Sequence, residues 1–274
     1  MVRWSSLAAL SCALLSTVAL AAPPKVKPKP KANAAQHGAR IRNWHAPTPN
    51  KIAPVDEEGR PMLALYSLNT NERIEIPAAS EHGGFSARDL DRAAHLLREP
   101  RSGCEHPMDP RLLDLAYRIQ SYFRAQEIRV VSAYRAPHRH RRSNHGLGRA
   151  IDVIVPGATD EEVAKFAREL GFVGIGIYPS SGFVHIDVRQ RSYFWVDRSG
   201  PGRRNRERGI LGDLAARSDS QAATRGEHPT PPFAPLGDVD AWLRSRSSQA
   251  PSTMPPEDDD EDDAADSTTD SSAY

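Results

Sequence analysis

Apolar bulk is confined to the middle of this chain, and that confinement sets what it can fold into. All but one of the seven Phe and all but one of the seven Tyr lie between residues 62 and 200, while most of the 23 Pro lie outside that span. Flanks of this kind bury too little surface to offset chain entropy. The 274 residues therefore predict one domain of moderate size over 62–200 with disordered ends. Residues 22–61 read as a Pro/Lys-rich spacer, and residues 201–274 as a disordered tail whose end, from Glu257, is acidic. With 36 Lys+Arg against 35 Asp+Glu, the balance argues against a nucleic-acid binder.

The start reads as a targeting signal. Arg3 precedes an uncharged stretch from Leu7 to Ala22 that contains the small-x-small exit Ala19-Leu20-Ala21. This predicts a secretory signal peptide over 1–21, cut after Ala21. The stretch falls short of the roughly 20 apolar residues that span a bilayer, so a retained anchor is the lesser reading. An exported, periplasmic protein with no stable membrane insertion after cleavage is expected. Cys12 would leave with the signal, and Cys104 would then be the one remaining cysteine. That excludes an internal disulfide and a thiolate-based zinc site.

Local patterns set out the domain. Residues 62–67 and 73–76 form a hairpin signal across Asn69-Thr70-Asn71-Glu72. Ser86 and Asp89 resemble a cap for a helix carrying Leu90, Ala94 and Leu97. Asp109-Pro110 opens a second helix that buries Leu112, Leu113, Ala116, Ile119 and Phe123. Strands follow at 128–132 and 150–155. Thr159 and Glu162 start a third helix that ends at Gly171. A second hairpin joins 173–178 to 183–189. Helices mixed with hairpin-joined strands predict an α+β fold with a mainly antiparallel sheet and packed helices.

Alternation along the last strand directs Val184, Ile186 and Val188 to one face and Phe183, His185, Asp187 and Arg189 to the other. An imidazole and a carboxylate side by side are unneeded in a purely structural strand. Upstream, Ser143-Asn-His145-Gly-Leu-Gly148-Arg-Ala150-Ile-Asp152 places a His in a Gly-bearing loop and an Asp in the following strand. Two His and one Asp make a ligand set suited to Zn²⁺ with a position left for water. Each His taken alone is more often an ordinary polar residue.

The order Ser143, His145, Gly148, Ala150 and Asp152, followed by His185 on a late strand, resembles the zinc D-Ala-D-Ala peptidase family (peptidase family M15), which shares its fold with the hedgehog signalling domain. The stretches from Gly174 to Val188 and from Ser132 to Pro137 are most similar to the branch that includes murein endopeptidase K. The resemblance implies that His145, Asp152 and His185 bind zinc, and that Arg135 contacts the scissile carbonyl and its developing oxyanion. Many family members carry Glu or Asp three residues before the last zinc His; here that residue is Gly182. Asp187 becomes the candidate general base, with orientation of a His as its rival role. His138 and His140, in the short Arg-rich passage 136–142, read as exposed loop residues.

The implied function is that of an exported zinc metallopeptidase. It would hydrolyse amide bonds in peptidoglycan stem peptides or cross-links, as a D,D- or L,D-endopeptidase or carboxypeptidase. Peptidoglycan is the expected partner. The alternative is a catalytically silent peptidoglycan-binding or regulatory module that retains the zinc site. A hedgehog-like signalling domain is a third reading, disfavoured by the signal and the murein-like motifs. The sequence does not set the oligomeric state.

Overall fold

Helix starts follow local chemistry. In the computed structural model, which describes residues 34–136, 143–200 and 210–229, Ser86 accepts a hydrogen bond from the Asp89 amide and opens α2 (Ala87–Leu96). Asp109 accepts from the Arg111 amide, with Pro110 in the first turn of α3 (Pro110–Phe123). Thr159 and Glu162 form a reciprocal capping box at the head of α4 (Asp160–Glu169). A side-chain cap of this kind contributes about 1 kcal/mol. α3 stops at Arg124, which adopts a left-handed conformation.

Seven strands form one sheet: β1 (Met62–Ser67), β2 (Arg73–Pro77), β3 (Ile128–Ser132), β4 (Ala150–Ile154), β5 (Val173–Tyr178), β6 (Phe183–Val188) and β7 (Tyr193–Val196). Their order is β2-β1-β3-β4-β6-β5-β7. Pairs β1·β2, β3·β4, β4·β6 and β5·β6 are antiparallel, whereas β1·β3 and β5·β7 are parallel. The expected α+β class with a mainly antiparallel sheet is what forms.

One face of the sheet carries Ile151, Val153, Val184, Ile186 and Val188 in the main core, together with Leu112, Leu113 and Ile119 of α3 and Val163 and Ala167 of α4. The other face is covered too. Ile154, Tyr178, Phe183 and Trp195 make a second cluster, with Trp44 packed against it. All six residues of β6 are consequently buried.

This second cover corrects the expected disordered spacer. Within 22–61, residues Ala34–His45 form a helix, α1. His37 Nε2 meets the Ser180 carbonyl oxygen at 3.1 Å, and His45 Nε2 meets that of Gly182 at 3.1 Å. Arg129 Nη1 donates to the carbonyls of Asn43, Trp44 and Ala46 at 3.1, 2.8 and 2.9 Å, satisfying the end of the helix. α1 has little apolar periodicity of its own, and its order comes from these long-range partners.

The expected disordered tail needs the same correction. Gly212–Thr224 form α5, which buries Ala215, Ser218 and Ala222. A stripe of such small residues packs closely without reading as hydrophobic. β7 spans only four residues, too few for an alternating pattern to mark it as a strand. The proposed signal, the residue pair His138 and His140, and the acidic end lie outside the described residues. Among the described residues no helix is long and apolar enough to cross a membrane.

Candidate metal centre

Strand register creates the site. β4 and β6 pair so that Asp152 stands opposite His185 and Ala150 opposite Asp187. His145 comes from the turn before β4. Its Nδ1 lies 2.7 Å from the Ala133 carbonyl oxygen. A carbonyl only accepts, so Nδ1 carries the proton and Nε2 presents a lone pair. Gly148, with φ +67°, lets this turn close against Pro107 and His106, where a Cβ would overlap the Pro107 carbonyl.

His185 is fixed in the opposite sense. Its Nε2 donates to Asp187 Oδ2 at 2.8 Å, which directs Nδ1 inward. There Nδ1 lies 3.0 Å from Asp152 Oδ1 and 3.2 Å from His145 Nε2, while His145 Nε2 is 3.5 Å from Asp152 Oδ1. Tetrahedral zinc with bonds of about 2.0–2.1 Å has ligand–ligand edges of about 3.3 Å. The three measured edges bracket that value. All three residues are buried, and among the described residues they are the one group of His, Cys, Asp or Glu able to hold a metal ion. Two neutral imidazoles and one carboxylate fit Zn²⁺ in chemistry as well as in spacing.

The electrostatics agree with a cation site. Burial pushes the His145 imidazole down, and the Arg135 guanidinium pushes it further, so it is held as a neutral donor. Burial works against the Asp152 charge, yet the Arg135 guanidinium and the hydrogen bond from His185 hold its carboxyl well below the usual carboxylate range. Burial also opposes a charge on His185, but Asp152 and Asp187 together lift it to about 10. In the metal-free protein a proton thus occupies the place a cation would take, and metal binding would release it.

The sequence expectations divide here. His145, Asp152 and His185 converge, and Arg135 stands beside them. Arg135 Nη2 donates to Asp152 Oδ2 at 2.6 Å, and Nε donates to Ser132 Oγ at 2.9 Å. Asp187, the candidate base, contacts His185 at Nε2, the nitrogen turned away from the triangle. Asp187 is fully buried on the Nε2 side of His185, with the imidazole ring between it and the three donors. Both its oxygens are engaged, Oδ2 by His185 and both by Arg189.

Position 182 has a local explanation. Gly182 has φ +70°, and a Cβ there would fall against Ile41 of α1. A bulky acidic side chain is excluded by the helix that covers this turn. Residues missed in the sequence include Gly174, Gly176 and Trp195. A Cβ on Gly174 would overlap the Asp187 carboxylate, and one on Gly176 would overlap the Trp195 indole. Trp195 tilts against His185 with ring centroids 5.1 Å apart. Two glycines inside one strand are a signal of close approach that could have found this packing.

Comparison with known proteins matches residues 56–193 to a family model described as peptidoglycan L,D-endopeptidase MepK. The probable peptidoglycan L,D-endopeptidase MepK of Haemophilus influenzae is 32% identical over 156 residues, covering 51% of this chain and 82% of that protein. The peptidoglycan L,D-endopeptidase MepK of Escherichia coli K12 is 28% identical over 154 residues, covering 52% of this chain and 84% of that protein. No solved structure gives a significant match. α1 and α5 lie outside the matched residues.

Proposed function

This chain belongs to the MepK family of M15 peptidases, and on that premise we propose that it is an exported, periplasmic zinc peptidase acting on peptidoglycan. Its substrate bonds would be amides of stem peptides or cross-links, and the relatives' names favour L,D-endopeptidase action. The observation that carries the reading is the buried triangle of His145 Nε2, Asp152 Oδ1 and His185 Nδ1, with edges of 3.0, 3.2 and 3.5 Å.

A zinc ion held there would polarise a peptide carbonyl and lower the pKa of water towards neutral. The chain's own residues supply the rest. His145 presents one lone pair because its other nitrogen is committed to Ala133, and His185, on losing its Nδ1 proton to the incoming metal, would present one because Nε2 is committed to Asp187. Arg135 neutralises the outer oxygen of Asp152, and its partly exposed guanidinium is a donor suited to an oxyanion developing beside the triangle. Asp187 serves as a positioning residue.

Incubation of the purified chain with cross-linked muropeptides, followed by mass spectrometry of the products, tests this reading. Amide cleavage that stops with chelator and returns with zinc is expected. No zinc-dependent product from any cross-linked or pentapeptide substrate would overturn it. Gly182 and the turned-away Asp187 motivate a second reading, a silent wall-binding module that keeps the metal. That reading requires zinc-loaded protein to sediment with sacculi and cleave nothing.

A further inference from the structure

An imidazole can present either nitrogen to a metal, and something must hold the correct one inward. We propose that Arg189 is a positioning residue for the metal centre, acting on His185 through Asp187; the proposal rests on the zinc reading above. Arg189 Nε donates to Asp187 Oδ1 at 2.6 Å, and Nη2 donates to Oδ2 at 2.9 Å. A carboxylate held at one oxygen still turns about its Cβ–Cγ bond. A planar fork that engages both oxygens fixes the carboxylate plane. With that plane fixed and Oδ2 seated on His185 Nε2, the ring has one orientation, which points Nδ1 at Asp152 and His145.

The surroundings are built for this fork. The Arg189 guanidinium carbon lies 5.1 Å from the Tyr193 ring centroid and 5.8 Å from that of Trp195, and Trp195 in turn packs on His185. Gly174 is the strand partner of Asp187. A Cβ at 174 would overlap both the Asp187 carboxylate and Arg189 Nε, so the missing side chain makes the room. The Arg189 amide donates to the Phe172 carbonyl at 2.9 Å, which anchors the backbone just beyond β6. Together these contacts form a line Arg189–Asp187–His185 that ends at the donor triangle.

The test is zinc affinity of the full chain, measured by competition with a chromophoric chelator, with cobalt absorption as a report on ligand geometry. Arg189→Met is expected to weaken zinc binding by about 10–100-fold and to alter the cobalt spectrum, while circular dichroism of the metal-free protein is unchanged. Arg189→Lys, which meets one oxygen at a time, is expected to recover part of the affinity. A folded Arg189→Met protein that binds zinc like wild type would overturn the proposal. If that variant does not fold, Asp187→Asn/Arg189→Met removes the unpaired buried charge. The double variant is expected to bind zinc weakly, and wild-type affinity in it would also overturn the proposal. Wild type that takes up no zinc would instead overturn the metal reading beneath it.

Discussion

At the residue scale the geometry of the donor triangle depends on commitments made by atoms that do not face it. His145 and His185 were legible from spacing and alternation, and Asp152 from its place in β4. The choice between the two roles of Asp187 was not, because sequence shows that two side chains share a strand face but not which side of the imidazole the carboxylate takes. In the structure Asp187 meets the His185 nitrogen that faces away from the triangle, and Arg189 engages both its oxygens. Gly174 and Gly176 were unread because a glycine gives no chemistry of its own; its meaning comes from the carboxylate and the indole that occupy its space. Gly176→Ala should destabilise the fold by about 1–3 kcal/mol through overpacking against Trp195, seen as a lower urea midpoint. An unchanged midpoint would contradict that packing. Asp152→Asn keeps the shape but removes the anionic ligand and the partner of Arg135. Zinc affinity should fall at least tenfold, measured by chelator competition, while the metal-free fold persists.

At the element scale, caps and hairpin turns were readable because they are local. α1 and α5 were not, since both are ordered by contacts distant in sequence. The segment after α1 is tied down by Glu127, a buried carboxylate at the head of β3 that pairs with Lys51, Arg73 and Arg129. Burial opposes its charge, but Lys51 and Arg129 hold it below the usual carboxylate range. Its stabilising effect is therefore full above the unfolded-state pKa and is lost as pH falls through the folded-state value. Between about pH 7 and about pH 3, wild type should lose more stability than Glu127→Gln, so that their urea curves converge in acid. Parallel loss in both would show that the pairing is not expressed in stability. Gly182→Ala should also lower the thermal midpoint, because it adds a Cβ at φ +70° against Ile41.

At the scale of the whole molecule, the aromatic-rich middle does form the sheet, yet the folded unit reaches beyond the expected limits at both ends. Net charge of +1 reflects cancellation between a basic spacer and an acidic end rather than a neutral site. The signal reading predicts that cell fractionation finds the chain in the periplasm, beginning at Ala22. Recovery with residues 1–21 attached in the membrane fraction would contradict it. The matched residues place the chain in its family, and the proposed chemistry rests on three donor atoms at zinc-like spacing. The most direct test of that chemistry is turnover of cross-linked muropeptide measured while metal-free protein is titrated with zinc. Turnover should rise with added zinc and saturate at one ion per chain; cleavage by the zinc-free protein, or saturation without cleavage, would contradict the account.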